Sequence, residues 1–276
     1  MNRRHFLFSA AVLALAGCTA QPSEAQAPRF QPTRFSVEVR GSGPDVILIP
    51  GLTSGRAVWR STVAAVPGYR YHLVQVAGFA GDPARGNREG PIVAPLAQEI
   101  ARYIAANRLV RPALIGHSMG GTVAMMVAAR QPNLAGRVMV VDMLPQPAGL
   151  LGSDAGRLGP LANVLRDVAG TAQGQRLFEG LVQNFGPQGA PRSDAGVVAR
   201  AMHELASTDI TPELGRIRAP MTVVYPTRDP AAPRVYANAY AAVRGARLVR
   251  VDNSGHMIML DQPQRFHNAV RDFLSR

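Results

Sequence analysis

The chain has 276 residues, 47% hydrophobic and 17% charged, which is the balance of a globular protein and not of a disordered one. Its formal charge of +12 rests on 30 Arg with no Lys, which excludes a P-loop lysine, a protein-kinase lysine and a Schiff-base lysine. A single Cys excludes an internal disulfide and any cysteine-built zinc or iron–sulfur centre.

The first element is an address. Arg3 and Arg4 precede an apolar run of eleven residues, Phe6 to Ala16, too short to span ~30 Å of hydrocarbon as a helix and suited to a signal sequence. The order Arg3-Arg4-His5-Phe6-Leu7 resembles a twin-arginine export signal, and Leu15-Ala16-Gly17-Cys18 resembles a bacterial lipobox. The one Cys thus falls where lipidation requires it. The expected division is a signal peptide over 1–17, then lipidated Cys18 and a tether rich in Ala, Gln and Pro over 18–34. The expected localisation is the bacterial cell envelope, facing the periplasm, and the resemblance to bacterial lipoproteins, with Thr19 and not Asp after the Cys, implies the outer membrane. Loss of Arg3 and Arg4 with the signal takes the charge from +12 to +10, a surface attracted to anionic lipid. The Arg residues are scattered, with no dense run or zinc-finger spacing, so no nucleic-acid partner is expected.

From Phe35 onward short β-branched runs alternate with longer amphipathic ones, the pattern of a mostly parallel, doubly wound α/β sheet. Strands are expected at Phe35–Arg40, Asp45–Ile49, Tyr71–Val76, Ala113–Gly116, Arg137–Asp142, Met221–Tyr225 and Arg247–Val251. Helices are expected at Ile92–Arg108, Met119–Arg130, Arg234–Val243 and Gln262–Leu274. The interval 143–212 breaks the alternation and holds three helical pieces near Leu161–Val168, Gln175–Asn184 and Asp194–Leu205. It reads as a helical lid inserted in a core formed by 35–142 and 213–276.

Gly116-His117-Ser118-Met119-Gly120 joins an apolar strand to a helix of small residues, the context that a G-x-S-x-G nucleophile turn requires. Glycines on either side of Ser118 permit strand and helix to approach, and the helix start directs free N–H groups at its hydroxyl. From about Phe35 to the C-terminus the chain resembles the α/β-hydrolase superfamily, and Gly116 to Gly121 look like the GHSMGG turn of its esterases and lipases. The resemblance implies a lid between the sixth and seventh strands of that family's core. A serine at this turn argues against the epoxide hydrolases and haloalkane dehalogenases of the same fold, which place Asp there.

Such a serine needs an imidazole base. His5 leaves with the signal, His72 lies on a strand, His203 in the lid and His267 in the last helix, while His117 reads as packing. His256 follows the last strand and precedes Asp261-Gln262-Pro263, which resembles the segment carrying the catalytic His in this superfamily. The orienting carboxylate is expected to be Asp229, in the order Ser118, Asp229, His256, with Asp142 at the end of the preceding strand as the alternative. Oxyanion donors are expected from the backbone N–H of Met119 and of Leu52, in the loop after the second strand, with Trp59 packing beneath. The resulting expectation is a lipid-anchored serine hydrolase of carboxylic esters, working through acyl-Ser118 on an apolar small-molecule acyl substrate with no metal or organic cofactor. Cleavage of a C–C or amide bond, perhydrolysis, and a catalytically silent binding lipoprotein are the alternatives on the same fold.

Overall fold

The computed structural model describes residues 30–148 and 191–276. Cys18, the signal, most of the tether and the helical pieces expected near Leu161–Val168 and Gln175–Asn184 lie outside the described residues.

Among the described residues seven strands form one sheet: β1 (Phe35–Arg40), β2 (Asp45–Ile49), β3 (Arg70–Val76), β4 (Ala113–His117), β5 (Arg137–Val141), β6 (Met221–Pro226) and β7 (Arg247–Val251). The order is β1-β3-β2-β4-β5-β6-β7, with β1 antiparallel to β3 and the other pairs parallel. Strands covered on both faces read as continuous apolar runs, and successive residues divide between two clusters. Ile47, Ile49, Val138 and Val140 face one cluster, while Val46, Leu48, Met139 and Val141 face the other.

The helices are α1 (Arg60–Ala65), α2 (Val93–Ala106), α3 (Met119–Arg130), α4 (Ala195–Ser207), α5 (Ala232–Ala239), α6 (Ile258–Asp261) and α7 (Pro263–Leu274). α2 and α3 supply residues to the first cluster, and α7 to the second, where Phe266 stacks on Trp59 at 6.2 Å between ring centroids. No helix among the described residues is long and apolar enough to cross a membrane.

α4, from the interval expected to be a lid, packs into the same cluster as α2 through Val197, Val198 and Ala201. Its Glu204 carboxylate accepts from the backbone N–H of Ile92, Val93 and Ala94 at 2.6–2.8 Å. These are orphan donors at the start of α2, which has no cap from its own N-cap residue. Arg200, one turn before, donates to the carbonyls of Asn87, Arg88 and Gly90. Numbered within this sheet, the interval opens after β5 and closes at β6.

The carboxyl ends of the parallel strands share one edge, where an open α/β sheet places its ligand site. The loops after β2, β4, β5 and β7 all reach it.

Candidate active site

Ser118 stands between β4 and α3 with φ 52° and ψ −125°, a left-handed conformation that costs a non-glycine residue strain. Two glycines make the turn possible. A methyl on Gly116 would overlap the backbone of Gly120, and one on Gly120 would overlap the carbonyl of Ile49. The Ser118 N–H donates to the Val141 carbonyl at 2.9 Å, which ties the turn to the last residue of β5. Met119 is the first residue of α3, so its N–H has no intrahelical acceptor. The loop after β2 lies against the same turn: a methyl on Gly51 would come within 3.0 Å of Ser118 Cβ. Leu52 follows Gly51 there, and Thr53 adopts φ 61°.

His256 follows β7 on a loop held at several points. Ser254 Oγ donates to the Val251 carbonyl at 2.7 Å, and the Gly255 N–H donates to Asp261 Oδ2 at 2.7 Å. Asp261, prominent in the sequence only as part of a segment, is thus the side chain that closes this turn. His256 Nδ1–H donates to Asp142 Oδ2 at 2.7 Å. The carboxylate acceptor fixes the ring proton on Nδ1 and leaves Nε2 as the basic nitrogen.

The partner of His256 is therefore Asp142, and the expectation that Asp229 would occupy this place is corrected. Asp142 turns sharply out of β5 at φ 48°, with its N–H on the Val224 carbonyl at 2.8 Å, and this turn swings its carboxylate across the end of β6 towards the β7 loop. Asp229 is exposed and engaged elsewhere: its Oδ1 accepts from the Ala231 N–H at 2.8 Å at the approach to α5. Its neighbour Arg228 is pinned through its N–H to the Ser254 carbonyl.

Two tyrosines outside the expected site residues complete the surroundings of Asp142. Tyr236 on α5 donates its hydroxyl to Asp142 Oδ1, and Tyr240, one turn on, donates to the Met143 carbonyl at 2.6 Å. Their i, i+4 spacing on a short helix was visible in the sequence. What it faced was not.

His117 is wholly enclosed. Its Nε2–H donates to the His256 carbonyl at 2.9 Å, and its ring lies 4.7 Å from that of His256. Burial, with help from the nearby His256 charge, pushes it down to about 3, so it stays neutral. Its Nδ1 has no hydrogen-bond partner among the described residues. Elsewhere His203 is exposed on α4, and His72 is bonded to Asp45 and Tyr103 at 2.8 Å each. His267 is buried in α7. None of these three meets Ser118.

Ser118 is 9% exposed, while the His256 side chain is 41% exposed, so the imidazole is open to solvent beside a largely buried sheet edge. A hydroxyl on a strained turn, an imidazole oriented by a buried carboxylate and a helix N-terminus together form the arrangement used for nucleophilic acyl transfer. The fold and this site define a hydrolase of the α/β type, and the chain belongs to the Alpha/beta hydrolase family, which matches residues 46–269. It is 26% identical over 261 residues to a pimeloyl-[acyl-carrier protein] methyl ester esterase of Aeromonas hydrophila, an alignment covering 87% of this chain and 98% of that one. Among solved structures, the enol-lactonase of Burkholderia xenovorans LB400 superposes with a TM-score of 0.67 at 22% identity, covering 88% of this chain and 96% of that one. An esterase of Exiguobacterium antarcticum gives a TM-score of 0.69 at 19% identity, with coverage of 88% and 96%.

Proposed function

We propose that the protein cleaves carboxylic esters through an acyl-Ser118 intermediate. The observation that carries this is the strained Ser118 at the strand–helix turn, on the same sheet edge as a His256 whose Nδ1–H is held by Asp142. In this reading His256 Nε2 takes the Ser118 proton as the hydroxyl attacks the ester carbonyl. It then gives that proton to the departing alkoxide. Water, deprotonated by the same nitrogen, releases the acid and restores Ser118. The N–H groups of Met119 and Leu52 receive the oxyanion. Asp142 holds the ring and balances the imidazolium. The relatives' esterase names agree with this bond type and leave the acyl and alcohol groups open.

A fluorophosphonate probe should label the protein at Ser118, and Ser118→Ala should abolish both labelling and hydrolysis of p-nitrophenyl esters. Labelling that persists in Ser118→Ala would overturn the assignment.

We further propose that the enzyme is an exported lipoprotein held in the cell envelope through Cys18. The support is the Arg3-Arg4 start, the apolar run and the position of the single Cys. Cys18→Ser should move the protein out of the membrane fraction while its ester hydrolysis stays near that of the parent chain. An unmodified Cys18 in membrane-bound protein, seen by mass spectrometry, would refute the anchor.

A further inference from the structure

We propose that Tyr236 is the positioning residue of the catalytic array, its hydroxyl holding Asp142 in the one orientation that presents the second carboxylate oxygen to His256. This rests on the reading of Ser118, His256 and Asp142 as the reacting set, and extends it to a helix that touches none of the reacting atoms.

The need for such a residue follows from where Asp142 sits. The residue is 5% exposed, and Oδ2 is committed to His256. A buried carboxylate oxygen left without a donor is costly, and a carboxylate held at one oxygen only can rotate about its Cβ–Cγ bond. Tyr236 Oη is the donor that meets Oδ1 among the described residues. The result is a chain from phenol through carboxylate to imidazole.

Tyr236 is itself fixed. Its ring is 3% exposed and stacks on Tyr225 of β6 at 4.9 Å, with the planes 18° apart. Tyr240, which caps the end of α5 one turn further on, donates to the Met143 carbonyl next door. The helix therefore grips the end of β5 twice, once by side chain at 142 and once by main chain at 143. Asp229, whose Oδ1 accepts from the Ala231 N–H, caps the approach to the same helix. The loop expected to supply the acid instead supports the helix that holds the acid.

The titratable side chains around the carboxylate are His117 from β4, Tyr236 from α5, Tyr240 at the end of α5 and His256 from the loop after β7, with Tyr225 of β6 stacked behind Tyr236. Burial first, and then the Asp142 charge, push Tyr236 far above the usual phenol range, so it remains a donor throughout the working pH. A phenol bond spreads the carboxylate charge. Without it, Asp142 would stabilise the imidazolium more strongly but orient it less well.

The test is Tyr236→Phe, which keeps the ring and removes the hydroxyl. The expected result is a loss of about tenfold in kcat at nearly unchanged KM for a p-nitrophenyl ester, with the acid limb of the kcat/KM–pH profile moved to higher pH. Tyr240→Phe should lower thermal stability and leave that limb in place, because its bond goes to a main-chain carbonyl. If Tyr236→Phe fails to fold, 3-fluorotyrosine encoded at position 236 alone, a more acidic phenol, should move the limb to lower pH in the otherwise intact enzyme. A profile that neither replacement moves overturns the proposal. Asp142→Asn and Asp229→Asn distinguish the underlying reading from this one. Near-total loss in Asp142→Asn, roughly 10⁴-fold as in the type case, with little change in Asp229→Asn, upholds the reacting set. The reverse ranking removes the carboxylate that Tyr236 is said to position, and the proposal falls with it.

Discussion

His117 combines three demands in one ring. It is fully enclosed, it donates to the main chain of His256, and it abuts Gly51 closely enough that a methyl there would lie 2.9 Å from Nδ1. The neutral form meets all three, because a second ring proton would find no acceptor. Being held near 3 in the fold against an ordinary 6.5 in the unfolded chain, His117 binds its proton in the unfolded state first. Stability from this group is therefore complete above about pH 6.5 and is lost as pH falls towards 3, at up to ~1.4 kcal/mol per pH unit. Urea midpoints measured at pH 7 and about pH 5 should differ in the parent chain, and the difference should shrink in His117→Gln. An equal difference in both chains would mean that other groups set the acid limit. Ser118, His256 and the glycines flanking Ser118 were legible in the sequence, because their constraints are local: a turn without room for Cβ, a loop directly after a strand. The choice between Asp142 and Asp229 was not. It depends on the left-handed turn at Asp142 and on which helix faces that turn, and neither leaves a mark within a few residues of either Asp.

At the scale of elements, the strands were read to within a residue or so at each end, since buried parallel strands announce themselves as apolar runs between turns. The helices were less exact where proline or shortness intervened. α5 starts at Ala232 with Pro233 in its first turn and stops at Ala239, against an expected Arg234–Val243. A proline is welcome at that position, because the N–H it lacks would have no partner there. α1 has six residues and one buried side chain, too little periodicity to detect. α4 shows how an element within the interval expected to be a lid is made part of the core: Asp194 caps its own N-terminus, while Glu204 caps that of α2. Negative charge at a helix start complements its dipole as well as its free donors. Glu204→Ala should lower stability by ~2 kcal/mol and speed amide exchange at Ile92, Val93 and Ala94 above that of the rest of α2. Unchanged exchange at those three amides would show that the cap is replaceable by water.

Across the whole molecule, the crossover order of the sheet gathers residues separated by more than a hundred positions at one edge, so the site is a property of topology before it is one of any loop. The same topology has a consequence for how the chain is made. The donors at the start of α2 lie 112 residues before the carboxylate that caps the first of them. At about 5–20 residues per second, the 63 residues from the end of β5 at Val141 to Glu204 take roughly 3–13 seconds to synthesise, and until then the donors at the start of α2 lack that carboxylate. During that interval the nascent chain holds the residues of every strand from β1 to β5 but not the side chain that finishes its second helix. Glu204 is therefore a closing contact on the first half of the fold, contributed by a residue synthesised after every strand of that half.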